Sequence, residues 1–340
     1  MNVRRKPIEI EYHKEKIVDD FVTKTGKEYV SSVFEVITDL ALKFRQSTGL
    51  PDNYSEVSRQ GKINKKNWGL QYLFNLMPIF EEWLDSMPSS ATIEYFYDPN
   101  VTKSVEGTEV NDTPRVFLSN SADCYGIRSR AKVLKKLLNE DISIDENWLS
   151  LACGGALPCL NTVKDSSVTP NLTLVDYDLN NLRLAKDRAK EMKISKSTRV
   201  VWRDLTQKNS FGDTSWIRQI LVGMKLKQRP FLLKKRLETN YYDRVEATGF
   251  LEYLGVEKAA RFIKNSFELV KPGGVFITSN IRDTHPERAY TEGVVQWPYI
   301  TFRTCEDVID IVKTAGIDVD KIDIYLPDDN VYAIYVMRKK

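Results

Sequence analysis

The spacing of apolar residues changes character near residue 145. Before that point the period is helical. Val30, Val33, Phe34, Ile37, Leu40, Ala41 and Phe44 recur at steps of three and four, which predicts an amphipathic helix over residues 30–44. Trp68, Tyr72, Leu73, Leu76, Phe80 and Trp83 predict a second over 67–84, and Val133, Leu134, Leu137 and Leu138 a third over 128–139. The polar stretches 47–67 and 98–120 read as loops. After residue 145, short apolar runs at 148–153, 172–176, 200–203, 244–247, 275–279, 322–326 and 331–337 alternate with periodic segments at 179–192, 256–270 and 305–315. Strands alternating with helices of that length imply right-handed βαβ units and a mostly parallel sheet. Only Pro327 to Asn330 separates the last two runs, so they are expected to pair as an antiparallel hairpin at the sheet edge. The expected layout is a helical region over 1–120 that caps an α/β domain over 121–340.

Composition narrows the possible partners. At 42% hydrophobic and 29% charged residues, the 340-residue chain has the balance of a globular protein with a full core. Its 50 basic and 47 acidic side chains leave a net charge of +3, too even for a surface that grips a phosphate backbone, so no nucleic-acid partner is expected. The four cysteines form no CxxC pair and read as reduced thiols. Two histidines, His13 and His285, make a histidine-rich metal site an unlikely reading. With no signal-peptide h-region and no apolar run of membrane-spanning length, a cytoplasmic location is expected.

The chemistry concentrates at the strand ends. The first strand runs into Ala152-Cys153-Gly154-Gly155, a small-residue turn that lets backbone amides approach a ligand. Pro158 suits the first turn of the helix behind it. A Gly-Gly pair alone is weak evidence for a site. The second strand, however, ends on Asp176-Tyr177, about twenty residues on, where a carboxylate can take both hydroxyls of a ribose. The third closes on Asp204-Leu205. Three strands ending in small or acidic residues along one sheet edge point to an adenosine site. The spacing fits neither G-x-G-x-x-G nor a phosphate-cradling G-x-x-x-x-G-K-[ST] loop, so an adenosine ligand without pyrophosphate is expected.

From about residue 147 to 340 the chain resembles the class I S-adenosylmethionine-dependent methyltransferases. Leu149-Ser-Leu-Ala-Cys-Gly-Gly-Ala156 stands where that family has its glycine-rich first motif, with Ser150 in place of the usual acid and Ala152 and Ala156 in place of the outer glycines. Tyr242 to Leu254 resembles the family's fourth strand and its exit loop, and Lys271-Pro-Gly-Gly274 the turn before the fifth. The resemblance implies a Rossmann-like, seven-stranded sheet of order 3-2-1-4-5-7-6. It also implies S-adenosylmethionine as cofactor and methyl transfer to a small-molecule or lipid-like acceptor, on oxygen. By its place after the fourth strand, Glu246 is a candidate for both cofactor binding and catalysis. A regulatory S-adenosylmethionine-binding protein without turnover, and an aminopropyl-type transferase, stay open as alternatives.

On the acceptor side, His285 follows the fifth strand and is a candidate general base. Arg128 or Arg130, just ahead of the core, can clamp the methionine carboxylate or a substrate anion. Residues 206–242 form an insertion with apolar and basic positions, read as a lid or a homodimer helix.

Overall fold

The computed structural model describes residues 7–49, 64–85, 90–104, 107–207, 237–297 and 299–340. The insertion expected over 206–242 and the loop expected over 47–67 lie largely outside the described residues.

An edge strand, β1 (Glu9–Glu15), precedes the helices α1 (Lys24–Thr48), α2 (Trp68–Leu76), α3 (Ile79–Asp85), α4 (Ser90–Tyr97), α5 (Asp112–Asn120) and α6 (Ala122–Asn139). The α/β part follows as β2 (Asn147–Leu151), α7 (Leu157–Asp165), β3 (Asn171–Asp176), α8 (Leu179–Glu191), β4 (Thr198–Trp202), β5 (Tyr242–Ala247), α9 (Val256–Leu269), β6 (Val270–Ile281), α10 (Cys305–Ala315), β7 (Lys321–Pro327) and β8 (Tyr332–Arg338). The helix expected over 67–84 is two helices. Pro78 has no N–H to donate and forces the preceding Met77 into an extended conformation, which ends α2. The loop expected over 98–120 contains α5, whose buried Phe117 and Leu118 were too few to register as a period.

The sheet has eight strands rather than seven, in the order β1-β7-β8-β6-β5-β2-β3-β4. The order differs from the expected one by β1, which pairs parallel with β7 from Glu9↔Lys321 to Glu15↔Pro327. The seven strands from β2 onward keep the 3-2-1-4-5-7-6 succession among themselves. An edge strand packs one face only and carries charges that discourage pairing with other chains, so Glu9, Glu11 and Lys14 hid it from a search for apolar runs. β8 runs antiparallel to β6 and to β7, so the expected hairpin forms, but it is not at the sheet edge, because β1 pairs outside β7.

Both faces of the sheet are covered, so β2, β3, β5 and the later part of β6 are buried along nearly their whole length. Leu149, Val175, Val245 and Phe276 pack under α9 and α10, while Trp148, Leu174 and Ile277 pack under α6, α7 and α8. A third cluster lies over the carboxyl end of β6 and the amino end of β8, where Val30, Ile37, Leu73 and Phe117 of the N-terminal helices meet Ile281, Tyr290, Trp297 and Val331. Gly126, inside α6, allows this approach, because a Cβ there would collide with Val331. The helical region is thereby fixed against the edge of the sheet at which β6 ends and β8 begins. Among the described residues no helix is long and apolar enough to cross a membrane.

Candidate functional site

The turn after β2 is built on left-handed backbone. Ala152 (φ 52°), Gly154 (φ 53°) and Ala156 (φ 56°) all have positive φ, a conformation that costs a residue bearing a Cβ about 1 kcal/mol. The two alanines stand where glycine is the relaxed choice. Ala156→Gly should therefore raise stability by about 0.5–1 kcal/mol, read as a higher urea midpoint; an unchanged or lower midpoint would show that the turn is not strained.

Asp176 closes the turn from the end of β3. Its Oδ2 accepts the Gly154 N–H at 2.9 Å, and its Oδ1 accepts the Asp178 N–H at 2.8 Å and the Asn181 side-chain amide at 3.3 Å. Burial pushes its carboxyl pKa up, and the two backbone N–H groups oppose that shift. At the end of β4, Asp204 is turned into its own loop: Oδ1 accepts from Thr206 N–H and Oγ–H, and Oδ2 from Gln207.

These groups bound a cavity of about 510 Å³, ample for a nucleoside-sized ligand. Ala152, Cys153, Gly154, Gly155, Asp176, Tyr177, Asp204 and Leu205 all line it, so eight of the sequence-derived candidates meet in one place. Tyr177 is exposed at the rim, and burial drives the Cys153 thiol well above its ordinary pKa, which keeps it un-ionised. The opposite wall comes from α4, through Ile93, Glu94 and Tyr97, and from Thr248 to Phe250 after β5. Glu94 holds Arg188 of α8 in a two-bond ion pair at 2.9 and 2.6 Å, and Arg188 also reaches the Gly155 carbonyl at 3.0 Å. The α4 wall had no signal beyond apolar residues four apart, since its meaning depends on where the helix docks.

Other candidates are placed elsewhere. Arg128 is buried away from the cavity. Its Nε donates to Asp19 at 2.6 Å, and its terminal nitrogens donate to the carbonyls of Phe96, Leu118 and Ser119. Arg130, two residues on and across the helix, does line the cavity, stacks over the Tyr332 ring at 4.4 Å and stands 3.7 Å from Glu252. Glu246 lies behind the cavity wall, fully buried. It sits opposite Ser150 in the β2–β5 register, accepts a hydrogen bond from that hydroxyl, and accepts the Thr248 N–H and Oγ–H at 3.0 Å. The carboxylate missing at Ser150 is thus present on the neighbouring strand. Burial raises its pKa, against the hydrogen bonds from Ser150 and Thr248.

His285 also stands back from the large cavity. Its Nδ1 accepts the Glu287 N–H at 3.1 Å, so Nε2 carries the proton and donates to Asp123 at 3.1 Å. Asp123 also accepts from Thr291 at 3.0 Å. Glu287 accepts the Ala122 N–H, and burial lifts its pKa to about 8. Asp123 in turn lines a second cavity of about 30 Å³ with Glu252, Tyr253, Trp297 and Tyr332. That cavity shares Ile93, Arg130, Gly249 and Tyr253 with the first, so the two adjoin.

No protein-family model and no curated protein matches the chain. Among solved structures, a possible exported protein from Bordetella parapertussis is similar over 93% of this chain and 99% of its own, with a TM-score of 0.58 and 14% identity. At that identity the likeness concerns the fold. A putative O-methyltransferase from Nostoc punctiforme (TM-score 0.48, 13% identity, 93% and 97% covered) is more distant. So is magnesium protoporphyrin IX methyltransferase from Synechocystis, solved with S-adenosylhomocysteine (TM-score 0.48, 12% identity, 78% and 97% covered).

Proposed function

We propose that the chain binds S-adenosylmethionine in the 510 Å³ cavity and transfers its methyl group to an oxygen of a small or lipid-like acceptor. The carrying observation is the Asp176 carboxylate, oriented by the Gly154 and Asp178 N–H groups and more loosely by the Asn181 amide at 3.3 Å, so that it can accept from a ribose hydroxyl. Asp204 and Leu205 then flank the adenine, the Ala152–Gly155 turn meets the methionine end, and Arg130 faces the methionine carboxylate. Bound there, S-adenosylmethionine supplies a methyl already made electrophilic by the sulfonium. The protein's task is to align the acceptor and exclude water. Glu246 acts as a brace between β2, β5 and Thr248, doing from the next strand what an acid at position 150 would do. In this reading residues 121–340 carry the catalytic unit, and the helices before residue 120 shape the acceptor pocket.

Two measurements test the proposal in sequence. Calorimetric titration with S-adenosylhomocysteine should show one saturable site, and its absence would sink the proposal. Incubation with methyl-labelled S-adenosylmethionine and cell extract should then transfer label to a solvent-extractable product. Tight binding with no labelled product would favour a regulatory protein without turnover.

A further inference from the structure

Behind the large cavity lies a buried carboxylate, one oxygen of which has no hydrogen-bond partner among the described residues. Glu252 sits in the short 3-10 turn Leu251–Tyr253 that follows β5 and is 2% exposed. Its Oε1 is 3.7 Å from Arg130, too far for a hydrogen bond, and among the described residues its Oε2 has no hydrogen-bond partner. A buried carboxylate oxygen without a donor is costly, and native structures rarely keep one without a reason. The turn that carries it is held firmly. Arg303 donates to the carbonyls of Leu251 and Leu254 and to Asn280, and the Thr301 N–H binds the Glu252 carbonyl. The backbone that carries Glu252 is therefore held in place.

Glu252 lines the second cavity, the one that adjoins the cofactor cavity at Arg130, Gly249 and Tyr253. Its walls are aromatic: Phe96, Tyr253, Trp297 and Tyr332. A volume of about 30 Å³ accommodates a reacting group and little more. Through Phe96, Asp123 and Trp297 it joins a third cavity of about 40 Å³ lined mainly by apolar side chains, where the Tyr290 hydroxyl is also without a partner among the described residues. Two carboxylates, Asp123 and Glu252, face one cation, Arg130. Such a lining repels a carboxylate and favours a hydrogen-bond donor.

We propose, building on the methyl-transfer reading above, that these adjoining cavities receive a compact, apolar acceptor bearing a neutral hydroxyl, and that Glu252 takes the proton of that hydroxyl. As the acceptor oxygen bonds to the methyl carbon, its proton passes to Glu252 Oε2. The electron pair of the broken carbon–sulfur bond stays on sulfur, and Glu252 loses the proton to water when the product leaves. Asp123, with its oxygens fixed by His285 and Thr291, positions the acceptor from the other side. Burial raises the Glu252 pKa, opposed by Arg130 and Arg303, which brings the base nearer in strength to the hydroxyl it serves. Tyr253 and Tyr332 face the same carboxylate and stay protonated, since burial raises both.

The test uses 4-ethylphenol and 4-ethylbenzoate, which share a shape and differ in the group offered. S-adenosylhomocysteine binding is measured first by itself; its absence would take down the proposed function, and this inference with it. With that ligand bound, the phenol should bind saturably and at least about 10-fold tighter than the benzoate at pH 7.5. Glu252→Gln should weaken the phenol about 10-fold or more while leaving S-adenosylhomocysteine affinity and the thermal midpoint close to wild type. With S-adenosylmethionine, the phenol should be methylated at a rate that rises with pH through a limb above the ordinary glutamate range, and Glu252→Gln should remove that limb. Equal binding of the two probes, preference for the benzoate, no saturable binding of either, or an unchanged phenol affinity and pH limb in Glu252→Gln would each overturn the inference. The methyl-transfer reading would survive any of these.

Discussion

Arg128→Met should destabilise the protein by about 3–5 kcal/mol, the largest loss expected from any single change considered for the site. Arg128 is buried and makes four hydrogen bonds: to Asp19 ahead of α1, to Phe96 in α4, and to Leu118 and Ser119 near the end of α5. It stitches three separate N-terminal segments to α6. Methionine fills most of the same volume, so the loss comes from polar groups left behind. Asp19 would remain a buried charge without its partner, and three carbonyls would lose their donor. Urea unfolding followed by tryptophan fluorescence measures the cost. Because Arg128 does not line the cavity, the folded fraction should bind S-adenosylhomocysteine within about three-fold of wild type. A variant of normal stability that had lost its ligand would return Arg128 to the cofactor site and overturn its assignment as a structural tie.

Asp176→Asn should do the reverse. It should weaken S-adenosylhomocysteine binding by about 100-fold, roughly 2.7 kcal/mol, for a smaller change in stability. The carboxylate can accept one ribose hydroxyl as a charge-assisted bond in addition to its Gly154, Asp178 and Asn181 donors, and a second if it displaces the 3.3 Å Asn181 amide. Asparagine has one acceptor oxygen and an NH₂ that would face either the Gly154 N–H or the ligand. Some stability will also be lost, since Asp176 fastens the turn, so the comparison must be made below the variant's melting range. Calorimetric titration of both proteins decides the point, and equal affinities would remove Asp176 from the ribose.

Part of the site could be read along the chain because it is built from local signals. The Ala152–Gly155 turn, Asp176 and Asp204 each lie at the end of an apolar run, and strands of a parallel sheet bring such ends to one edge whatever the tertiary detail. Arg128 and Arg130 show where local signals stop. Two residues apart on a helix, they point in different directions, and only the docking of α4 and α5 decides that one is sealed among carbonyls while the other lines the cavity. Ser150 gave a similar misdirection. An acid absent from its own strand can be supplied across the sheet, and Glu246 becomes its partner only through the β2–β5 register. His285 is the converse case: it lies beyond the carboxyl end of a central strand, as expected for a base, yet its ring is spent on orienting Asp123.

The sequence by itself determined the alternation of strands and helices, the closing hairpin and the sheet edge at which small and acidic strand ends gather, because period and turn chemistry act over a few residues at a time. Tertiary structure alone decided that Glu9–Glu15 extends the sheet to eight strands, that α4 walls the 510 Å³ cavity, and that Glu252 is buried beside Arg130 with no partner for Oε2 among the described residues. Each of these depends on contact between segments far apart in the chain. Burial and the loss of solvent arise only when such segments meet, so no local pattern carries them.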